Sequence, residues 1–210
     1  VAAITDFDAD TYRLSLDRYL GGARQVMAAV EDRARRTNAR VAFAEAEEAR
    51  SLRAAVQIFE RNMAQPVLVG SRARIEEQAA ALGLDLEGLE IVDPDHDPRR
   101  PELAAKYHEL RCRRGVNVRD AAHLTKSSRR FALLLLERGD VDVALTGVNR
   151  SYPDCVRDAF EIVGTAEGKR AAAVHLMVLK DRTLFFADTS LHVDPNAREL
   201  ADIAIAAADT

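Results

Sequence analysis

The stretch that decides the fold is RVAFAEAEEARSLRAAVQIFERNMAQPVLVGSRARIEEQAAALGLDLEGLEIV, residues 40–92. Three short apolar runs in it are typical of buried strands: RVAFA at 40–44, PVLV at 66–69 and EIV at 90–92. Amphipathic patterns with helical spacing separate these runs, over 47–63 and 72–82. Strands and helices that alternate at this spacing predict a parallel sheet with right-handed crossover helices.

The same alternation continues toward the end of the chain. Further elements are predicted as helices over 99–114, 118–124, 131–138 and 154–163, a buried strand over 141–145, and a hairpin of 171–179 with 184–187. A last helix is predicted to run to Ala208, with Asp194 as its N-cap and Pro195 as its first residue. The predicted fold class is therefore α/β, a parallel or mixed sheet with flanking helices.

The beginning of the chain differs in pattern from the rest. Apolar residues recur at helical spacing between Asp10 and Arg36, and Gly21-Gly22 interrupts them. We therefore predict a helical arm or linker over residues 1–38, followed by the α/β domain over residues 39–210. The chain begins with Val1 rather than Met, which suggests a processed, trimmed or excised piece of a longer protein.

Composition excludes several classes of protein. The 210 residues are 48% hydrophobic and 30% charged, which suits a packed domain rather than a disordered tail. A net charge of −4 disfavours nucleic-acid binding, and no apolar run approaches the roughly 20 residues that span a membrane. No signal pattern opens the chain, so we predict a cytoplasmic protein. Cys112 and Cys155 have no metal-type or disulfide spacing and are predicted to be free thiols.

The segment TGVNRSY, residues 146–152, follows a predicted strand and is the strongest candidate for a site. Ligands of open parallel sheets bind beyond the carboxyl ends of the strands, where backbone N–H groups face a crevice. Gly147 allows close approach, and Arg150 and the hydroxyls nearby suit an anion. Arg157 lies one turn into the next helix. These residues predict an anion or phosphate site, although a purely structural loop remains an alternative.

Three other segments admit a functional and a structural interpretation. Glu45 lies at the tip of the first strand, where acidic residues also favour the dipole of the next helix. Arg111 ends the helical segment YHELR, which also fits a solvated basic helix end. The acidic loop 93–97 offers oxygen ligands for a divalent ion, but we favour a solvated loop in which Asp97 caps the next helix. The chain has no GxGxxG, GxxxxGK[ST], HExxH or GxSxG motif.

Several segments together resemble the phosphotransacetylases (phosphate acetyltransferases). They follow one another in the order of that family: RVAFAEAEEARSLRAA, QPVLVGSRARIEE, KYHELRCRRGV, VDVALTGVNRSYPDCVRDAFEIVGTAEGKR and TLFFADTSLHVDPNARELADIAI. The resemblance implies a fold akin to the isocitrate/isopropylmalate dehydrogenase type, with two α/β lobes around a cleft. It also implies that the family's domain continues beyond Thr210, so that a complete transferase site needs residues outside this chain.

The departures from the family pattern indicate a particular branch. Transferases of the family usually carry a Ser-Gly-Ala-x-His-Thr/Ser-Thr run where this chain has residues 146–152. Together with ADT at 187–189 and His192, the segment more closely resembles the C-terminal phosphotransacetylase-like domain of hybrid NADP-dependent malic enzymes. The arm resembles the linker of those proteins. By this resemblance, NADP and a divalent metal belong to a catalytic part outside this chain, and no residue here is assigned to them.

Three hypotheses of function follow. The first is a regulatory and oligomerising domain that senses acetyl-CoA for a malic enzyme, without catalytic residues of its own. The second is an active phosphate acetyltransferase that moves acetyl between CoA and phosphate, with Arg111 and Arg157 on the phosphate and the Thr146–Gly147 backbone on the carbonyl oxygen. The third is a structural or oligomerising domain without a ligand. Under the first two, the predicted residues for acetyl-CoA or acetyl phosphate are Thr146, Gly147, Asn149, Arg150, Ser151, Tyr152, Arg157, Arg111 and Glu45. A homo-oligomer is expected.

Overall fold

A computed structural model describes residues 22–167, 170–179 and 182–208. Residues 34–164 form one compact unit, and the described parts of 1–33 and 165–210 form another. Most of the predicted arm, up to Gly21, lies outside the described residues, and helix α1 (Gly22–Thr37) is its described part. The division into an arm of residues 1–38 and a domain of residues 39–210 stays a prediction.

The unit of residues 34–164 is built on a four-stranded parallel sheet. Its strands are β1 (Arg40–Phe43), β2 (Gln65–Val69), β3 (Glu90–Val92) and β4 (Val143–Leu145). The strands lie in the order β3-β2-β1-β4. Phe43 is paired with Leu68 of β2 on one side and with Leu145 of β4 on the other. The α/β class and the parallel sheet that the sequence predicts are confirmed.

Helices cover both faces of this sheet. They are α2 (Ala49–Glu60), α3 (Arg72–Leu82), α4 (Arg100–Arg111), α5 (Val118–Leu124), α6 (Ser128–Arg138) and α7 (Tyr152–Ile162), with a short 3-10 turn at Cys112–Arg114. Successive residues of a strand point to opposite faces. Val67 and Val69 therefore pack with residues of α4, α6 and α7, whereas Phe43 and Leu68 pack with residues of α2 and α3. A sheet buried on both faces explains the nearly continuous apolar strands of the sequence.

The described residues of the second unit contain an antiparallel hairpin, most of α1 and a further helix. The strands are β5 (Val174–Val178) and β6 (Thr183–Ala187), and the further helix is α8 (Ala197–Ala208). The predicted hairpin is confirmed, with Val174 opposite Ala187 and Val178 opposite Thr183. No helix among the described residues is long and apolar enough to cross a membrane.

The prediction of a buried strand over residues 141–145 is wrong in both the extent and the burial of the strand. Strand β4 begins only at Val143, and the side chains of Val143 and Leu145 are 40% and 44% exposed. Only Val141, before the strand, is buried. The reason is the strand order, which places β4 at the edge of the sheet, where sequence pattern alone cannot distinguish it from a central strand.

Several predicted helix starts also need correction. Helix α6 begins at Ser128 rather than at Phe131, and α7 begins at Tyr152 rather than at Asp154. Helix α8 begins at Ala197 rather than Pro195, because the side chain of Asn196 accepts the N–H groups of Arg198 and Glu199. Asp97 does not cap α4; its carboxylate instead bonds the backbone and guanidinium of Arg99. Helix α2 begins at Ala49 rather than at Glu47.

Candidate anion-binding site

The site lies where the order of strands reverses. The chain proceeds from β1 through β2 to β3 on one side of β1, and then returns to place β4 on the other side. The N–H of Ala44 donates to the carbonyl of Leu145 at 3.0 Å, so the two strand ends stay side by side. A reversal of this kind opens a crevice at the carboxyl ends of the strands, which is the usual place for ligands in such sheets.

The loop after β4 and Glu45 after β1 meet in this crevice. The Glu45 carboxylate accepts the N–H of Gly147 at 2.9 Å, the N–H of Val148 at 3.1 Å and the hydroxyl of Thr146 at 3.3 Å. Two consecutive N–H groups aimed at one anion form a concave donor site. We call the donors Thr146 Oγ1, Gly147 N and Val148 N the anion cradle. In this structure the cradle holds a carboxylate of the protein itself.

Glycine is required in the cradle for conformational reasons. Gly147 has φ of +104°, a region that side chains of L-residues rarely adopt. A Cβ built on Gly147 would lie 3.6 Å from the sulfur of Cys155, which is ordinary contact. Backbone angle rather than space therefore selects glycine at this position.

An open groove of about 470 Å³ lies beside the cradle. Its lining is mostly charged and polar, and includes Glu45, Glu47, Glu48, Arg74, Lys126, Ser127, Ser128, Arg129, Asn149 and Arg150. Arg74 pairs with Glu47 at 3.1 Å, and Lys126 pairs with Asp95 at 3.3 Å. Among the described residues, Arg150 forms no ion pair, so its guanidinium is available to an anionic ligand.

Helix α6 contributes to the wall of the groove through its first turn. Ser127 is the N-cap residue, but its side chain makes no capping hydrogen bond, so the first N–H groups of the helix keep their capacity to bind. The Asp158 carboxylate, nearly fully buried, bonds Arg129 and also bonds Arg130 at 3.0 Å. Asp158 thereby fixes the guanidinium of Arg129 at the wall of the groove.

A second, smaller cavity of about 350 Å³ is lined in part by the cradle residues Thr146 and Gly147. It is lined by Thr146, Gly147, Arg150, Tyr152, Cys155, Val156 and Ala159. Arg150 borders both cavities, and the Tyr152 side chain is half exposed. Cys155 is buried and Cys112 is exposed, and both are free thiols, as the sequence predicts. The structure thus brings Glu45, Thr146, Gly147, Asn149, Arg150 and Tyr152 together.

Ser151 and Arg157 are engaged within α7 instead. The Ser151 hydroxyl accepts the N–H of Asp154 and donates to its carboxylate at 2.6 Å, which lowers the pKa of Asp154. The Arg157 guanidinium, two-thirds exposed, lies 3.6 Å from the same carboxylate and lines neither cavity. Both residues are close in sequence to the cradle but are turned toward Asp154.

Arg111 is not brought to the cradle. Its guanidinium bonds Glu161 at 3.2 Å, and Glu161 also accepts the Tyr107 hydroxyl. Glu161 follows Tyr152 by nine residues, which is about 13 Å along the axis of α7. Burial raises the pKa of Tyr107, and Glu161 adds to the effect. The predicted ligand role of Arg111 stays a prediction.

The acidic loop 93–97 supports the fold in this structure. Asp93 accepts the N–H groups of Arg72 and Asp95, and it pairs with His96 at 3.2 Å. Burial acts to raise the pKa of Asp93, but these hydrogen bonds outweigh it and the pKa is lowered. Nowhere in the described ranges do three or more His, Cys, Asp or Glu side chains gather so that they could hold a metal ion.

A separate polar cluster follows β6 in the second unit. The Asp188 carboxylate is almost fully buried and accepts the N–H groups of Ala173, Ser190, Leu191 and His192. It also bonds the His192 ring at Nδ1, 2.5 Å away. Burial acts to raise the pKa of Asp188, but these hydrogen bonds outweigh it and hold the pKa well below its usual range.

Sequence reasoning missed the residues that α6 and its neighbours contribute to the groove. Lys126, Ser127, Ser128 and Arg129 lie at the start of the apolar helix α6, and this pattern in the sequence signals a helix start. The same residues supply hydroxyls and positive charge at a helix start, where N–H groups are exposed. This combination indicates an anion site and could have been recognised in the sequence. Asp158 had no local signal, because its arginine partners lie 28 and 29 residues earlier.

The fold and this crevice together define an α/β domain with a groove lined mainly by charged and polar side chains. A family of phosphate acetyl/butaryl transferases matches residues 25–210. The chain therefore belongs to the phosphate acetyl/butaryl transferase family, as the sequence resemblance predicts.

The individual relatives include two kinds of protein, phosphate acetyltransferases and NADP-dependent malic enzymes. A phosphate acetyltransferase of Nitratidesulfovibrio vulgaris is 34% identical over 85% of this chain and 26% of its own length. An NADP-dependent malic enzyme of Haemophilus influenzae is 32% identical over 95% of this chain and 27% of its own length. This chain thus spans about a quarter of each. The EutD phosphotransacetylase of Staphylococcus aureus shares the fold, with a TM-score of 0.80 at 24% identity over 87% of this chain and 56% of that structure.

Proposed function

We propose that this chain is an acetyl-CoA-sensing regulatory domain of an NADP-dependent malic enzyme. The oxidative decarboxylation of malate to pyruvate would then be carried by another part of the protein. The observation that carries the proposal is the extent of alignment. The malic enzymes of Haemophilus influenzae and Rickettsia prowazekii align with 95% and 100% of this chain, against 85% for the transferase of Nitratidesulfovibrio vulgaris.

The groove supplies chemistry that suits acetyl-CoA, whose phosphates are anionic and whose thioester carbonyl accepts hydrogen bonds. Arg150, which borders both cavities, is the proposed anion contact, together with Arg157 if its side chain turns from Asp154. Thr146, Ser151 and Tyr152 are the proposed hydrogen-bond partners. Hydrogen bonds to charged groups contribute about 1.5–3 kcal/mol each, so a few of them suffice for specific binding.

NADP and a divalent metal belong to the other part of the protein under this proposal. Among the described residues no cluster of acidic, histidine or cysteine side chains is arranged for a metal ion, and the sequence has no GxGxxG motif. Under this proposal, no step of the malate reaction is assigned to residues of this chain. What the chain contributes is a ligand-dependent bias on the conformation of the whole protein, with coupling energies of about 1–3 kcal/mol as in other such systems.

The experiment that tests the proposal is malate-dependent NADPH formation by the full-length protein, with and without acetyl-CoA. A rate that changes with acetyl-CoA, and that responds less when Arg150→Gln is introduced, supports the proposal. Arg36→Gln is the matched control, because Arg36 is exposed and lies four residues before β1 begins, whereas the site follows the end of β1. A malate-dependent rate that acetyl-CoA leaves unchanged would argue for a structural domain without a ligand.

An active phosphate acetyltransferase is the second candidate, and the 34% identity with a protein of that name favours it. Arg111 and Arg157 would hold the phosphate, and the Thr146–Gly147 backbone would stabilise the developing oxyanion. Formation of acetyl-CoA from acetyl phosphate and CoA, in the absence of malate activity, would select this candidate.

We also expect a homo-oligomer and a cytoplasmic location. Sedimentation velocity of the full-length protein tests the first expectation, and cell fractionation tests the second.

A further inference from the structure

The anion cradle already contains an anion. Gly147 N and Val148 N both bond Glu45 Oε2, at 2.9 and 3.1 Å, and Thr146 Oγ1 and Gly147 N lie 3.3 Å from Oε1. A phosphate or another carboxylate presents the same type of acceptor atom to such donors. Glu45 therefore occupies the position that an anionic ligand would take.

We propose that Glu45 is a built-in competitor of the ligand, so that an oxyanion enters the cradle only when the Glu45 carboxylate leaves it. This regulation rests on the proposed function in one respect, because the cradle is taken to be part of the acetyl-CoA site. The ligand class at the cradle is an oxyanion such as a phosphoryl group.

The loop has other supports that hold it in place when Glu45 moves. Arg50 donates to the Val148 carbonyl at 3.3 Å, and Asn149 Nδ2 donates to Glu48 at 2.8 Å. The Ser151 side chain caps the helix that follows. These contacts attach the loop to α2 and α7 without using the cradle donors, so the donors keep their geometry when the occupant changes.

The groove also offers a place for the displaced carboxylate. Glu45 lines the groove of about 470 Å³ together with Arg74, Lys126, Arg129 and Arg150. Arg150 has no ion-pair partner in the part of the chain that the structure describes. A Glu45 side chain that swings into the groove therefore exchanges neutral donors for cationic ones, which lowers the cost of displacement.

The test measures the affinity of the full-length protein for inorganic phosphate by titration calorimetry. Glu45→Gln removes the charge that competes for the donors, and we expect it to lower the Kd for phosphate at least about 10-fold, the factor that corresponds to one hydrogen bond to a charged group. Glu48→Gln is the matched control. It removes the same charge from the same groove and retains an acceptor for Asn149, and we expect less than about a fivefold change.

A second variant, Glu45→Asp, keeps the charge and tests the proposal even if Glu45→Gln does not fold. It shortens the side chain by one methylene and withdraws the carboxylate from the donors, so phosphate affinity should rise here too. An unchanged or weaker affinity in both Glu45 variants, or an equal gain in Glu48→Gln, would overturn the proposal. Failure of both Glu45 variants to fold would overturn it as well, because a group that a ligand displaces cannot be indispensable for folding.

The outcomes also separate this proposal from the proposed function. Suppose that neither the wild-type protein nor any of the variants binds phosphate, while the malate-dependent rate still responds to acetyl-CoA. This result overturns the competitor role of Glu45 and leaves the regulatory function standing. Phosphate affinity that rises in Glu45→Gln, combined with no response to acetyl-CoA, supports the competitor role and rejects the regulatory function.

Discussion

At the scale of the residue, Asp158 shows how one buried charge organises the wall of the groove. Its carboxylate is 3% exposed and bonds both Arg129 and Arg130. Removal of one partner from a buried ion pair leaves an uncompensated charge, which costs about 3–5 kcal/mol. We therefore expect Asp158→Asn to lower the free energy of unfolding by about 3 kcal/mol in urea denaturation.

The control for this variant is an exposed ion pair on another helix. Glu109 is 76% exposed and lies 3.9 Å from Lys106, and such pairs contribute less than about 1 kcal/mol. Glu109→Gln should leave the unfolding midpoint nearly unchanged. Equal effects of the two variants would show that burial of Asp158 has no energetic consequence.

Gly147 gives a second prediction at this scale. A non-glycine residue at its positive φ costs about 1–3 kcal/mol and disturbs the N–H groups of the cradle. We expect Gly147→Ala to lower both stability and acetyl-CoA affinity. Gly139→Ala carries similar strain at φ of +82°, with open space around it, at the end of α6. It should lower stability alone, and a loss of affinity in both variants would mean that strain in general, not the cradle, controls binding.

At the scale of the element, the turn that follows β6 depends on one ionised carboxylate. The folded-state pKa of Asp188 is depressed below its unfolded value of about 3.9. Its contribution to stability is therefore fully present above pH 4 and is lost as the pH falls through the lower, folded pKa. We expect hydrogen-exchange protection at Ser190, Leu191 and His192 to be constant from pH 7 to 5 and to decrease below about pH 4.

Two variants check the origin of this acid sensitivity. Asp188→Asn should weaken protection of the turn at neutral pH and abolish the acid-dependent loss. Asp194→Asn changes an exposed carboxyl nearby and should preserve the wild-type profile. An acid-dependent loss that persists in Asp188→Asn would assign it to another group.

At the scale of the whole molecule, the proposed regulation must be reciprocal. If acetyl-CoA changes the affinity of the full-length protein for malate by some factor, malate must change its affinity for acetyl-CoA by the same factor, about 5–150 in typical systems. Calorimetric titration of acetyl-CoA at zero and at saturating malate measures this factor. A factor of about one, together with a malate-dependent rate that still responds to acetyl-CoA, would show that acetyl-CoA acts on the rate of a step rather than on binding.

The sequence by itself determined the α/β class and the parallel sheet, because alternating strands and helices and their crossover lengths are local properties. The family followed from the resemblance of several segments, in order, to the phosphotransacetylases. It also located the loop after β4 as a site, because parallel strands end at one edge of a sheet. It placed Glu45 among the candidate residues, but could not state what Glu45 bonds, since the Gly147 N–H lies 102 residues away.

Only the tertiary structure decided which charges meet. The strand order places β4 at an exposed edge of the sheet and its loop next to Glu45. Helix packing places Arg129 at the groove, whereas Arg111 pairs with Glu161. Helix α8 begins at Ala197 because Asn196, rather than the predicted Asp194, accepts its first N–H groups, a choice that depends on hydrogen bonds in three dimensions. Patterns along a chain encode which face of an element is buried, whereas the partner of a charged side chain depends on distances between elements that no local pattern contains.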